Sequence, residues 1–399
     1  MCENIGKCGG CCYRDIDYRE QLVIKENFVK DLLKNYVDVS KIESIVPSPN
    51  ELHYRNKMEF SFGDEVKGGS LTLGLHKKKS FYSILNADNC ELVTSDVNKI
   101  VSSCIKFFNE KKISYFHKKK HCGFLRHLVI RKSFSFDNLL INLVTTYNSE
   151  NSNINTLVDS SAEIKLLDSF RDFLLSLNLN IAGIIRTKNN SLSDAVKCDG
   201  IDVLYGDINI YEELFELRFK ISPFSFFQTN TNCSKKLYEK VMEYISENNN
   251  NIVYDLYSGT GTISQIVSKV SKFVYGCEII NEAVDMANEN MLYNKIENVK
   301  FFNRDVKDLV RDVNNGNIDI KKPDVIILDP PREGVNEKAL EDIIKFDSKK
   351  IVYVSCKLKS FVDNFEILKS YGYKIVKACP VDMFSYTNNV ETVILLEKL

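Results

Sequence analysis

In Val352-Tyr353-Val354-Ser355-Cys356-Lys357 an apolar, strand-type run stops at a cysteine, and a polar, helix-type segment follows. A thiol there is either a small space-filler or a nucleophile. A helix N-terminus and Lys357 would both favour its thiolate. All five histidines (53, 76, 117, 121 and 127) precede residue 223, so a nucleophilic Cys356 would need a carboxylate as its proton partner. Glu391, at the head of the last strand-type run, is the candidate. Asp329-Pro330-Pro331-Arg332 closes another apolar run with a rigid turn. The run Tyr254 to Thr262 ends a strand and opens a helix, and its Gly259 and Gly261 let a ligand approach the backbone. Glu278 follows Asp255 by 23 residues, a spacing that suits hydrogen bonds to ribose hydroxyls.

A thiol, a carboxylate base and a nucleoside-bearing methyl donor fit one reaction. Carbon 5 of a pyrimidine is a poor nucleophile. Thiolate addition at carbon 6 makes carbon 5 enolate-like, so it can take a methyl group. A base then removes the carbon 5 proton and the thiol is eliminated. The target base must first leave its stack.

These residues need a frame that brings them together. From residue 223 onward strand and helix patterns alternate: IVYDL, FVYGCEI, VKFF, DVIILD, IVYVSC, YKIVKACPVDMF and VETVILLEK are the strands. Alternation implies a parallel sheet with helices on both faces. The short FSYTNN link makes the last two strands an antiparallel pair, giving six parallel strands plus one reversed. Glu391 then starts the reversed strand at the edge where the strands before Asp329 and Cys356 end. Before residue 222 the pattern is α+β: a helix over 18–36, strands within 52–85, a helix over 94–111, a hairpin from 125 to 147, a polar stretch at 148–156, a helix near 163–177 and further strands to 221. An Asn run occupies 248–251. Two domains are expected, 1–222 and 223–399.

With 44% hydrophobic and 27% charged residues the composition is that of a globular protein. Neither a membrane span nor a signal-peptide core is present in the sequence, which places the chain in the cytoplasm with reduced thiols. The net charge of −1 hides an asymmetry. Residues 51–132 hold 16 Lys and Arg against 8 Asp and Glu, a net of +8, so the remainder carries −9. A basic block in an acidic chain suits a polyanion partner, or else a solvated lysine face.

Phe226-Phe227-Gln228-Thr229-Asn230, Asp255 to Gly261, Asp329-Pro330-Pro331-Arg332, Ser355-Cys356 and Asp382-Met383-Phe384 with Val390-Glu391 together resemble the bacterial RNA uracil-5-methyltransferases, specifically their iron–sulfur 23S rRNA branch. The resemblance covers nearly the whole chain. It implies an α/β protein: a C-terminal Rossmann-like, S-adenosylmethionine-dependent methyltransferase sheet after an N-terminal α+β RNA-binding domain that carries an iron–sulfur cluster. It implies that Cys356 is the nucleophile and Glu391 the proton acceptor. Gln228, Tyr257, Glu278, Asp305 and Asp329 would line the S-adenosylmethionine site. The partner would be 23S rRNA, with no membrane, and a monomer is expected. Ser385 and Asn389 stand where relatives often have Pro and His, and Thr262 where some have Asn. With the cysteines at its start, the chain is expected to lack the small TRAM barrel of many relatives.

Cys2, Cys8 and Cys11 form C-x5-C-x2-C around Gly9-Gly10, a spacing from which three thiols can converge on one metal. Iron–sulfur, zinc or no metal are all open on spacing alone. The resemblance implies a 4Fe–4S cluster with Cys90 as the distant fourth ligand and Cys12 as a bystander. Cysteines 104, 122, 198, 233, 277 and 379 are expected to pack. Three alternatives stand beside the leading one: a tRNA uracil-5-methyltransferase, an amino-group methyltransferase using Asp329-Pro330-Pro331, and a non-catalytic iron–sulfur RNA-binding or redox-sensing protein.

Overall fold

A computed structural model describes residues 2–147, 160–246 and 251–398. The polar stretch 148–156 and residues 248–250 of the Asn run lie outside the described residues. The first half of the chain forms α1 (Tyr18–Leu33), β1 (Lys57–Gly63), β2 (Thr72–His76), β3 (Ile84–Asn86), α2 (Ser95–Glu110), β4 (Leu125–Lys132), β5 (Leu139–Thr145), α3 (Ser160–Leu175), β6 (Ile181–Lys188) and β7 (Gly200–Gly206). A ribbon of β8 (Ile210–Leu214) and β9 (Leu217–Ile221) follows. Then come α4 (Thr231–Ile245), β10 (Ile252–Leu256), α5 (Thr262–Val267), β11 (Phe273–Glu278), α6 (Asn281–Tyr293), β12 (Val299–Asn303) and α7 (Val306–Asn314). The chain closes with β13 (Val325–Leu328), α8 (Glu337–Ile344), β14 (Lys350–Ser355), α9 (Leu358–Ser370), β15 (Tyr373–Val381) and β16 (Glu391–Lys398). No helix among the described residues is long and apolar enough to cross a membrane.

The chain divides into two compact units. One comprises Met1–Asp15, Leu52–Glu212 and Ile221–Phe224; the other comprises Ile16–Glu51, Glu213–Lys220 and Ser225–Leu399. The division expected at 222/223 is therefore corrected: residues 16–51 and 213–220 belong with the second unit. The cause is α1, which packs on α9 and β15 and buries Val29 and Leu33 in the core of that unit. The segment after α1 adds single bridges from Ile42 to Ala378 and from Val46 to Val381. Helical periodicity marks an apolar face but not the core that receives it.

The first unit is built on a seven-stranded sheet in the order β3-β2-β1-β4-β5-β6-β7. Its neighbours are antiparallel except β5 and β6, which are parallel and are connected through α3. Every residue of β4 and β5 is buried. Helix α2 packs on β2 and α3 and buries Ile100, Cys104 and Phe108, none of which is exposed.

The second unit holds a seven-stranded sheet in the order β12-β11-β10-β13-β14-β16-β15. Strands β10 to β14 are mutually parallel, and β16 runs against both β14 and β15. Six strands thus point one way and one the other, as the alternation implies. Strand β13, VIIL, is buried throughout, the pattern of a parallel strand covered on both faces. Helix α7 was not anticipated; Asp305 caps it by accepting from Lys307 N at 2.9 Å. Helix α5 starts after Gly261, whose φ is +74° and whose absent Cβ would lie 2.5 Å from Phe301. Only glycine fits that position.

Candidate active site

The C-terminal edge of the second unit's sheet collects the groups singled out above. In the ladder between β14 and β16, Ser355 lies opposite Thr392. Cys356 directly follows the last residue of β14 and Glu391 directly precedes Thr392, so both stand at the end of this ladder, and the Glu391 charge acts on the Cys356 thiol. Leu328 pairs with Tyr353 and with Leu256, so Asp329 ends β13 at the same edge, between β10 and β14. Glu391 is 5% exposed, and Cys356 is half-buried.

Electrostatics tie these groups together. Burial, then the charge on Asp329, pushes the Glu391 carboxyl up to about 8, while Arg332 pulls the other way. The low-dielectric surroundings of Asp329 and the Asp255 charge push Asp329 up to about 7. Asp255 is fully buried and is itself raised to about 6 by burial, against a hydrogen bond from Ser264 Oγ at 2.5 Å. The Cys356 thiol is pushed up to about 11 by burial and by the charges of Glu391 and Asp329, with Arg332 opposing. The expectation that Lys357 and a helix N-terminus favour the thiolate is therefore corrected. Lys357 is exposed and solvated, and the two nearby carboxylates outweigh the helix end. Both carboxyls hold protons over part of the neutral range, which weakens their push on the thiol and leaves burial as its main cause. Protonation of either one eases ionisation of the thiol.

Beside this edge lies a cavity of about 360 Å³ lined by Tyr257, Glu278, Ile279, Asp305, Val306 and Asn336, among others. Tyr257 has a φ of +74°, rare for a residue with a side chain, and its N–H and that of Ser258 both donate to Cys277 O at 3.0 Å. Glu278 is held by backbone amides: Gly259 N donates to Oε2 at 3.0 Å, and Ile279 N and Ile280 N donate to Oε1 at 2.9 Å. A Cβ on Gly259 would meet nothing within 4 Å. Ser258 Oγ and Asp255 Oδ1 are buried without a hydrogen-bond partner. A floor of bare backbone, a fixed carboxylate and unpartnered polar atoms suit a polar ligand. Of the five residues proposed for the cofactor, Tyr257, Glu278 and Asp305 line this cavity; Asp329 sits at the strand edge, and Gln228 is buried before α4.

The loop that precedes Glu391 is clamped within the same unit. Asp382, fully buried, accepts from Lys25 Nζ at 2.5 Å and from Tyr18 Oη at 2.8 Å. Lys25 also donates to Phe384 O at 3.0 Å, Asn230 Nδ2 to Met383 O at 3.0 Å, and Tyr386 N to Gln21 Oε1 at 2.8 Å. Helix α1 thus fixes the backbone that delivers Glu391.

The sequence profile of the tRNA (uracil-5-)-methyltransferases matches residues 17–399. The chain belongs to that family. An uncharacterized RNA methyltransferase of Clostridium tetani is 43% identical over 100% of this chain and 83% of its own length. One from Clostridium acetobutylicum is 41% identical with the same coverage. Among solved structures, the tRNA (uracil-54, C5)-methyltransferase of Pyrococcus abyssi, in complex with S-adenosyl-L-homocysteine, superposes with a TM-score of 0.75. It is 26% identical, over 98% of this chain and 86% of that one.

The cysteine region of this methyltransferase departs from expectation. Cys2, Cys8, Cys11 and Cys90 are mutual neighbours. Burial and the charges of Cys90, Cys8 and Cys2 push the Cys11 thiol up to about 12. Burial raises Cys8 and Cys90 as well, with Cys2 adding to both. Yet no group of three or more His, Cys, Asp or Glu among the described residues is placed to hold a metal ion. The 4Fe–4S cluster expected on these four cysteines is therefore not shown by the described residues. Of the cysteines expected to pack, 104, 233, 277 and 379 are buried, Cys122 is partly exposed and Cys198 is exposed. Arg332, Ser264 and Tyr238 were missed as site residues. Tyr238 is buried against the charges of Asp329, Asp255 and Glu391. Arg332 directly follows the Asp-Pro-Pro turn, the one signal that could have found it.

Proposed function

We propose that this RNA methyltransferase transfers a methyl group to carbon 5 of a uridine by covalent catalysis, with Cys356 as nucleophile and Glu391 as proton acceptor. The observation that supports the reading is that Cys356 follows β14 and Glu391 opens β16 at the end of the same ladder, close enough for the Glu391 charge to act on the thiol. S-adenosylmethionine, when bound, supplies the methyl group as an electrophile. The cavity beside Tyr257, Glu278 and Asp305 fits its nucleoside half, and the complex of the Pyrococcus abyssi enzyme with S-adenosyl-L-homocysteine supports it. Asp329 and Gln228 complete the proposed cofactor set.

In this reading the Cys356 thiol loses its proton to water, its sulfur bonds to carbon 6 of an unstacked uracil, and the electron pair of the 5,6 double bond moves onto the ring as an enolate. Arg332, which favours the charged form of both Cys356 and Glu391, steadies the thiolate. After methyl transfer the ionised Glu391 takes the carbon 5 proton, and the carbon 6–sulfur bond breaks to free the product. Near pH 7 a carboxyl ionising at about 8 is roughly one-tenth charged, enough to accept a proton and weak enough to release it.

The proposed substrate is 23S rRNA, on the strength of the cysteine set Cys2, Cys8, Cys11 and Cys90. These four would hold a 4Fe–4S cluster in an RNA-positioning role; that Cys2, Cys8 and Cys90 line one cavity supports this. Transfer RNA is a second reading, favoured by the family profile and by the uracil-54 enzyme of Pyrococcus abyssi. Mapping 5-methyluridine in rRNA and tRNA from cells with and without the gene separates them. Loss confined to 23S rRNA supports the first; loss confined to tRNA overturns it in favour of the second.

A further inference from the structure

The loop between β2 and β3 exposes two aromatic rings in the middle of the lysine-rich block. Phe81 is 61% exposed and Tyr82 53% exposed. Their rings meet edge to face, with centroids 5.3 Å apart and planes at 88°. Lysines already rest on both: Lys118 Nζ lies 4.5 Å from the Phe81 centroid and Lys119 Nζ 4.7 Å from that of Tyr82. Lys77, Lys78, Lys79 and Lys120 are exposed around them. The opposing acids are few. Asp194 pairs with Lys118 at 2.6 Å, and Glu65 lies 3.9 Å from Lys77.

The loop is held in place. Lys78 N donates to Lys7 O at 2.7 Å, Gly9 N to His76 O at 3.0 Å and Ser80 N to Lys77 O at 2.9 Å. The His76 ring stacks under Phe81 at 6.1 Å with planes 22° apart. The cysteine segment and the strand end thus present the two rings on a fixed base.

Large exposed aromatics need a partner or an explanation. Protein interfaces bury aromatics but exclude lysine from their centres. Here each ring is topped by an ammonium group, which suits a ligand whose flat apolar part and anionic part lie within one monomer of each other. A nucleotide in single-stranded RNA has that form: its base stacks on the ring and its phosphate draws the lysine. We infer that Phe81 and Tyr82, with Lys118 and Lys119, form a stacking platform for unpaired bases of the RNA substrate. The platform lies in the first unit, whereas the residues proposed for methyl transfer lie in the second. The inference rests on the reading that RNA is the substrate, not on the uracil chemistry.

The chain contains no tryptophan, so Phe81→Trp installs the protein's one tryptophan at the platform, to be excited selectively apart from the 19 tyrosines. Full-length Phe81→Trp protein is titrated with a single-stranded 12-mer of uridine, and in parallel with heparin, a polyanion without bases. The RNA should quench the emission, and heparin should leave it bright. The double variant Phe81→Ala, Tyr82→Ala, assayed by anisotropy of labelled RNA, should bind about 5- to 100-fold more weakly per lost stack. Both positions are exposed, so circular dichroism should match the parent. Unchanged emission at saturating RNA overturns the platform. So does unchanged RNA affinity of the double variant, including the case where the variant instead loses self-association in sedimentation, which would make the patch a protein contact. Methylation is read separately: quenching without 5-methyluridine would sink the function proposed above and leave the platform standing, and methylation without quenching would do the reverse.

Discussion

Replacing Glu391 with Gln should stabilise the free protein, and increasingly so as pH rises. The carboxyl ionises near 4.5 when unhindered and near 8 in place, because burial and Asp329 oppose its charge. Between those values the folded chain binds the proton more tightly than the unfolded one. Its stabilising contribution is complete below pH 4.5 and is lost as pH climbs through 8. At about 1.4 kcal/mol per unit, the loss is about 1 kcal/mol by pH 5 and about 4 kcal/mol by pH 8. Glutamine, neutral throughout, escapes it. The pH-dependent gain of Glu391→Gln over the parent is therefore about 3 kcal/mol between the two pH values. At roughly 2–4 °C per kcal/mol for a unit of this size, the transition of the second unit should gain about 6–12 °C more at pH 8 than at pH 5. Differential scanning calorimetry of both proteins at the two pH values reads this directly. A gain that is flat with pH, or a loss at pH 8, would refute the claim that Glu391 is held protonated by its surroundings.

Three further outcomes follow from the same geometry. Methylation at saturating substrate should rise through pH 7 to 9 as Glu391 ionises, and a profile flat over that range would count against Glu391 as the base. Lys25→Met leaves the Asp382 charge buried and unpaired, so the second unit should lose about 3–5 kcal/mol in urea melts; a loss under about 1 kcal/mol would show that the clamp on the 382–390 loop contributes little. Cys8→Ser should abolish the visible iron–sulfur absorption of protein purified without oxygen, whereas stoichiometric zinc by elemental analysis of the parent would overturn the cluster.

The second unit was the more legible in sequence. Its buried parallel strands read as unbroken apolar runs such as VIIL, and the brevity of the link before β16 gave the reversed strand. That reversal is what allowed Glu391 to be placed near Cys356. What escaped was set by tertiary packing. The apolar stripe of α1 could have faced any core, so its union with α9 and β15 was invisible. The acidity of Cys356 was misjudged in direction, because Lys357 adjoins it in sequence while Glu391 and Asp329 surround it in space. Ser264 was hidden by having no sequence signal beyond a place in the first turn of α5.

The central claim is a bond between the Cys356 sulfur and carbon 6 of a uracil, released only when Glu391 takes the neighbouring proton. Intact-mass spectrometry of the Glu391→Gln protein after incubation with substrate RNA and S-adenosylmethionine tests it in one step. A protein–RNA adduct carrying one extra methyl group, stable in SDS and absent from the Cys356→Ala, Glu391→Gln double variant, is the predicted result. Formation of 5-methyluridine by Cys356→Ala protein would contradict the account.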